Sequence, residues 1–373
     1  MKIKLSGLFF LFSLFLFSQT CMAKSKDVEV GFNTREMYDN NIFYNNLNKR
    51  SDFVTSLEPT IAVNHKLKRV RFSADAEPQF LSYAKNSDIN ATNYNVNEKI
   101  EADINSHLKA SVSNSNVKDT VSYLVNDLVN NVGSTGRFGF ESNSISPTLT
   151  YNSKHGTALT GSYSFDRVSY HLPELSDNEG HNLSASLVQK ITNLISALMD
   201  ITFQSRHFDN GFEAGVLLFD WGARWAPGIR WVHDFKMGLQ RIDKTDSRSD
   251  SQFYYTYTVS YFLTRLTSLS YTSQLSSSII ATQNNVLRIW QNSIGASQKL
   301  SRSDSLNVSV TYVWADVVPI KAKSTILKLD TDIEHALSKY AALKIGYSYE
   351  NQSSDLSAAY KRDTTYISLN LKY

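Results

Sequence analysis

From about residue 27 to the last residue, apolar and polar side chains alternate singly in runs of about 10 to 14 residues. Phe53, Leu57, Pro59, Ile61 and Val63 share one parity, with Ser56, Glu58 and Thr60 between them. Phe253, Tyr255, Tyr257, Val259 and Tyr261 repeat the pattern against Gln252, Thr256, Thr258 and Ser260. Leu306, Val308, Val310, Tyr312 and Trp314 do so again. Period two places one set on each face of a β-strand. Typical soluble strands stop at about 5 to 6 residues. Runs twice that length suit a tilted strand that crosses a bilayer.

The two ends of the chain agree with a membrane destination reached by secretion. Lys2 and Lys4 precede an apolar stretch from Leu8 to Phe17, and Cys21-Met22-Ala23 offers small residues around a cleavage point. This is the pattern of a secretory signal, too short for a spanning helix. The expected division is a signal peptide over 1–23 and one β-barrel over 24–373. Cleavage would also remove the only cysteine, leaving no disulfide. At the other end Ile367, Leu369, Leu371 and Tyr373 share one parity and finish on an aromatic carboxyl-terminal residue, like a recognition strand read by barrel-assembly machinery.

Connections alternate between short turns, such as His65–Lys68 and Ala226–Gly228, and longer polar loops: Met37–Arg50, Lys85–Ala91, Leu172–His181 and Lys244–Ser251. Trp221, Trp225, Trp231, Trp290, Trp314 and Tyr349 fall near strand ends, where interfacial aromatic girdles belong. Together these features predict an all-β, antiparallel, up-and-down transmembrane barrel of about 18 strands, with 16 as the alternative, in the outer membrane of a Gram-negative bacterium. Three places resist the pattern. Phe138 and Phe140 are out of step with Ile145, Leu149 and Tyr151, which a β-bulge near Ser142 would reconcile. Val286–Gln291 is ambiguous between faces, and Glu98 falls on the apolar parity. Thr120–Asn131 carries Val121, Leu124, Val125, Leu128 and Val129 at helical spacing and is expected as a helix-like loop.

Catalytic chemistry finds no support in the spacing of residues. The eight histidines are scattered, and there is neither a helical zinc motif nor a G-x-S-x-G elbow. Rim pairings of His207 with Asp209, or His181 with Asp177, are the nearest approach to an acid–base pair. No cofactor and no metal are called for, and the protein is not expected to be an enzyme. With 38 Lys and Arg against 35 Asp and Glu, nucleic acid is not a partner this charge balance would select. The expected partners are outer-membrane lipid and, during biogenesis, the assembly machinery.

If the apolar parity faces lipid, the lumen receives Arg69, Arg71, Asp75, Glu77, Lys99, Glu101, Asp103, Asp200, Gln204, Arg206, Arg230, Asp234, Lys236, Gln240, Lys328, Asp330, Asp332 and Glu334. Any barrel confines charge this way, because an Arg or Lys on the lipid face costs about 2–4 kcal/mol at the midplane. Lining an aqueous path, both signs together predict weak ion selectivity. Tyr254 and Tyr366 share the lumen parity.

The segments Glu36-Met37-Tyr38-Asp39-Asn40-Asn41-Ile42-Phe43 and Ser51-Asp52-Phe53-Val54-Thr55-Ser56-Leu57-Glu58-Pro59 resemble the start of a family of β-barrel porins (type 2), with Asn40 where a second Asp is more usual. These barrels are often associated with exopolysaccharide or capsule gene clusters. The resemblance implies a porin-like aqueous channel that assists export or passage of an extracellular polysaccharide. The competing readings are a non-conducting binding or structural barrel for polysaccharide or a secretion complex, and, less favoured, a barrel enzyme. Read from its residues alone, the Asp39-Asn40-Asn41 loop is a turn that satisfies its own backbone.

Overall fold

The structure is a computed structural model, and it describes residues 27–44, 46, 49–121, 138–171, 176–244, 247–280, 285–318, 322–355 and 359–373. The signal segment 1–23 and the helix-like loop lie outside these residues, except that Thr120 and Val121 are strand. The strands in chain order are β1 (Val28–Asp39), β2 (Asp52–Lys66), β3 (Val70–Tyr83), β4 (Ala91–Asp103), β5 (Leu108–Val121) and β6 (Phe138–Asn152). They continue as β7 (Thr157–Tyr170), β8 (Asn178–Lys190), β9 (Ile195–Phe208), β10 (Glu213–Trp225), β11 (Trp231–Lys244) and β12 (Ser247–Phe262). The last six are β13 (Thr267–Ile280), β14 (Asn285–Lys299), β15 (Asp304–Val318), β16 (Ala322–Ala336), β17 (Ala341–Ser354) and β18 (Tyr360–Lys372).

Each strand pairs antiparallel with its sequence neighbours, and β1 pairs with β18 from Gly31–Lys372 to Asp39–Thr364, so the 18-stranded sheet closes on itself. Closure satisfies the backbone of every strand within the sheet and leaves no edge, as a hydrocarbon environment demands. Outside the strands the seam is extended by Tyr373, whose N–H donates to the Val30 carbonyl at 2.8 Å and whose carbonyl accepts from Val30 at 3.2 Å. The ladders lapse where Pro59 meets Pro78 and beside Pro147, because proline has no N–H to give, and resume in the same register.

Cross-strand partners share a face, so the register assigns every side chain. Ile61, Phe72, Ile100, Val112, Leu149, Leu159, Leu183, Phe203, Phe219, Leu239, Phe253 and Ile294 are all exposed and all outward. Val54, Ser56, Glu58, Asn93, Asp220, Gln240 and Ser324 are buried on the inward parity. The bulge expected near Ser142 is absent: the β5–β6 ladder runs unbroken from Leu108–Tyr151 to Val121–Phe138, so Phe140 simply faces inward. Val286, Arg288 and Trp290 take the outward parity, while Leu287 and Ile289 turn inward and pack with Val313, Ala315, Val317 and Ile326. Apart from Arg288, both parities carry apolar residues there, which is why alternation could not decide.

Three loops expected from the sequence are shorter than read. β8 starts at Asn178, β12 starts at Ser247, and β1 runs on to Asp39, so polar stretches assigned to loops are strand. Polar residues on both faces remove the amphipathic signal without removing the ladder. The eight short turns share one rim with Asp27 and Tyr373, and the other rim carries the β1–β2 and β3–β4 loops.

Candidate functional site

The lumen wall is a charged surface that largely neutralises itself. On β3, Arg71, Asp75 and Glu77 face inward, with Asn97 donating to Asp75 at 2.9 Å. On β4, Lys99 pairs with Glu101 at 3.1 Å, and Asp103 lies 3.5 Å from Lys109 of β5. Arg206 of β9 binds Asp166 at 2.9 Å and Asn178 at 3.0 Å. Asp234 of β11 takes Arg224 at 2.6 Å. On β16, Lys328 lies 3.3 Å from Asp330, and Asp332 takes Lys344 at 3.2 Å. Gln240 exchanges two backbone hydrogen bonds with Ser277, at 2.9 and 3.1 Å. Arg69 and Arg230 fall outside the strands, in the short turns that precede β3 and β11, where their carbonyls accept from Asp103 and Phe262 at 2.8 Å each.

Lys236 and Asp200 meet at 2.6 Å, with Asp220 within electrostatic reach of both. The wall is creased there. A Cβ at Gly222 would lie 1.9 Å from the Phe235 carbonyl oxygen, and one at Gly238 would lie 1.9 Å from that of Phe219. Only glycine permits this approach, and it lets Lys236 sit opposite Gly222 and Asp220 opposite Gly238. The crease has a sequence signal, two glycines within strands, whose meaning depended on the register.

Across the chamber wall from β1 to β5 runs a hydrogen-bonded ribbon. Glu58 accepts from Asn33 at 2.6 Å, Ser56 at 2.7 Å and Gln79 at 2.7 Å. Asn93 then donates to Gln79 at 3.0 Å and to Asp119 at 2.9 Å. Ser56, Glu58, Gln79, Asn93 and Asp119 floor a cavity of about 160 Å3 whose other walls include Arg35, Met37, Val54, Leu81 and Tyr83. Arg35 also stacks on the Tyr366 ring at 4.9 Å. Tyr254 also keeps the inward parity and bonds Thr256 at 2.9 Å.

The β1–β2 connection folds into this chamber. Ile42, fully buried, packs on Val54 and Tyr83, with Met37, Leu81 and Ile89 around them. Asp39, also fully buried, binds Arg362 at 2.8 Å and accepts the Asn41 N–H at 2.9 Å. Asn40 and Asp363 bond each other three times, at 2.6, 2.9 and 3.1 Å. Tyr44, at a left-handed φ of 54°, is held edge-on to Tyr360 at 5.2 Å and under Arg362 at 4.4 Å. Asp52 accepts from the N–H groups of Phe53, Lys85 and Asn86, which ties the β3–β4 loop to the same wall. The Asp39-Asn40-Asn41 segment is thus an inward latch onto the last strand, more than the self-satisfied turn its residues suggest.

Neither of the histidine–aspartate rim pairings weighed from the sequence forms. His207 binds Glu213 at 3.0 Å and His181 binds Tyr163 at 2.7 Å, all four on the outward parity. Among the described residues no group of three or more His, Cys, Asp or Glu is placed to hold a metal ion.

Comparison with known proteins fits this geometry. Residues 28–128 match a family described as putative beta-barrel porin 2, a span that contains the latch and the ribbon. Among solved structures, the outer membrane protein opdK of Pseudomonas aeruginosa superposes with a TM-score of 0.55 at 10% identity, covering 94% of this chain and 100% of that one. OccK2 (OpdF) of the same organism gives 0.55 at 11% identity, with 94% and 99% covered. The fold is that of an outer-membrane porin. OccAB4 of Acinetobacter baumannii agrees, with a TM-score of 0.52 at 10% identity over 93% of this chain and 98% of that one. No curated protein matches this porin-like barrel.

Proposed function

We propose that this porin-like barrel is a water-filled diffusion pathway through the outer membrane of a Gram-negative bacterium, biased toward neutral or weakly cationic polar solutes. The observation that carries the reading is the inward face. Its cations are mostly paired with carboxylates on the wall, whereas at the cavity two carboxylates, Glu58 and Asp119, held by amides and hydroxyls, face the single guanidinium of Arg35 and leave a net negative field. The resemblance to barrels found with exopolysaccharide clusters supports a glycan as the solute, and amides beside a ring such as Tyr366 suit sugar hydroxyls and sugar faces. The inward latch favours a second reading, a barrel that binds polymer at its mouth and conducts little.

Liposome swelling with graded neutral oligosaccharides separates the two. Entry of sugars supports the pathway, and exclusion of every sugar, with small ions excluded too, supports the binding barrel. The selectivity claim has its own test. The double variant E58Q/D119N is expected to lower the cation-to-anion permeability ratio by about twofold, as suits well under 1 kcal/mol per charge across water. An unchanged reversal potential would remove these two residues from the selectivity argument.

The C-terminal strand is proposed to serve as the assembly signal. Ile367, Leu369 and Leu371 face outward on β18, and Tyr373 completes the seam and stacks on Tyr340 at 6.0 Å. Deleting Tyr373 is expected to cut the amount of heat-modifiable barrel in the outer membrane severalfold, read by gel shift against total protein. Equal amounts would leave the seam contact without a role in assembly.

A further inference from the structure

The outward face is uneven. All five tryptophans lie outward on β10, β11, β14 and β15, with Trp225 and Trp231 at the short-turn rim and Trp290 and Trp314 toward the other rim. Indoles anchor a barrel to the two interfaces of a bilayer. The wall from β3 to β6 has none, and small residues, Ala74, Ala76, Ala102 and Ala110, stand among its outward apolar side chains Phe72, Ile100 and Val112.

On that same wall polar side chains occupy the depth of the lipid band. Asn114 stands as far along β5 from the short turn as Phe219 stands along β10, where its outward neighbours Ile201 and Leu239 are apolar; Asn116 is level with Leu217, beside Arg241. Asn114 faces Glu98 of β4 and donates to it at 3.4 Å. Asn143 of β6 faces Asn116 and donates to its side-chain oxygen. Glu98 is the charged residue that the sequence placed on the wrong parity. The register does put it outward, between Ala74 and Asn114, so neither a slipped strand nor an inward turn removes it from the lipid face.

We infer that the β3–β6 wall is a protein–protein interface within the membrane and that its occupant is a second copy of this chain. Hydrocarbon leaves the spare donors and acceptors of three amides and a carboxylate without partners. The outward cations nearest the cluster, Arg167 opposite Asn143 and Lys118 beside Asn116, are engaged by Glu179 at 3.7 Å and Glu141 at 3.1 Å, so an anionic lipid headgroup would meet Glu98 with no free cation beside it. A second copy brings the same amides, each both donor and acceptor, so the cluster can complete itself across the contact. The small residues beside it allow two sheets to approach closely, and the tryptophans stay on the wall left to lipid.

Crosslinking of the purified full-length barrel in proteoliposomes at high lipid-to-protein ratio tests this. Single cysteines are placed at N116C and, as a small-for-small change that spares the cluster, A110C, with F219C on the tryptophan side as control. A short bismaleimide is expected to convert most of the heat-modifiable N116C or A110C protein to a species of twice the protomer mass and to leave F219C at background. The inference is overturned if neither β5 variant crosslinks, or if F219C crosslinks as well as they do. A dominant adduct of N116C with a different protein in intact membranes would also overturn it, because the occupant would then not be a second copy.

Discussion

Replacing Arg362 by methionine is expected to destabilise the barrel by about 3–5 kcal/mol, the cost of breaking a buried ion pair from one side. Asp39 is fully buried, and Arg362 is the cation that meets it, at 2.8 Å. The same guanidinium caps the Tyr44 ring and lies 4.0 Å from Glu350, which in turn accepts from the Tyr360 hydroxyl. Losing it leaves a buried carboxylate unpaired and frees Tyr44 from the conformation it is held in. The double variant D39N/R362M removes the stranded charge and is expected to recover most of the stability, since an amide at position 39 can still accept from the Asn41 N–H. Urea midpoints of the refolded proteins, read by the gel shift of the folded form, give the comparison. A second readout separates stability from pore function. If the latch narrows the chamber, R362M conducts more than the native barrel. Lost stability with unchanged conductance would make the latch a structural tie only.

The second large effect sets two neighbouring residues against each other. Phe219 faces lipid, paired with Ile201 and Leu239, while Leu218 faces the lumen, paired with Thr202 and Gln240. Lysine at 219 is expected to cost about 2–4 kcal/mol, the range for a cation near the midplane, with a long side chain recovering part of it by reaching toward an interface. Lysine at 218 meets water and the carboxylate-rich wall and is expected to cost well under 1 kcal/mol. Equal losses would mean that the register of β10 is wrong or that its inner face is dry.

The contrast between these residues marks what a sequence of this kind discloses. In β10, alternation from Glu213 to Trp225 fixes strand, length and face together, because every outward position between Phe219 and Trp225 must suit lipid and none need suit it inward. Where that constraint fades, so does the signal. Asn178 to His181 and Ser247 to Ser251 are strand, yet polar on both faces, and read as loop. Leu287 and Ile289 pack against an inward apolar cluster, so lipid and protein interior asked for the same side chains on both faces. The latch was illegible for another reason: Asp39 meets Arg362 across more than 300 intervening residues, and only barrel closure joins the first strand to the last. The charge pairs of the wall were half legible. Parity placed Lys236 and Asp200 inward, but their contact depends on the crease at Gly222 and Gly238.

The central claim is that the eighteen strands enclose an open, water-filled path. Single-channel recording of the refolded, heat-modifiable protein in a planar lipid bilayer tests it most directly. The account predicts discrete, long-lived conductance steps that favour cations and that E58Q/D119N shifts toward neutrality. A demonstrably folded barrel that inserts into the bilayer and carries no current would contradict it.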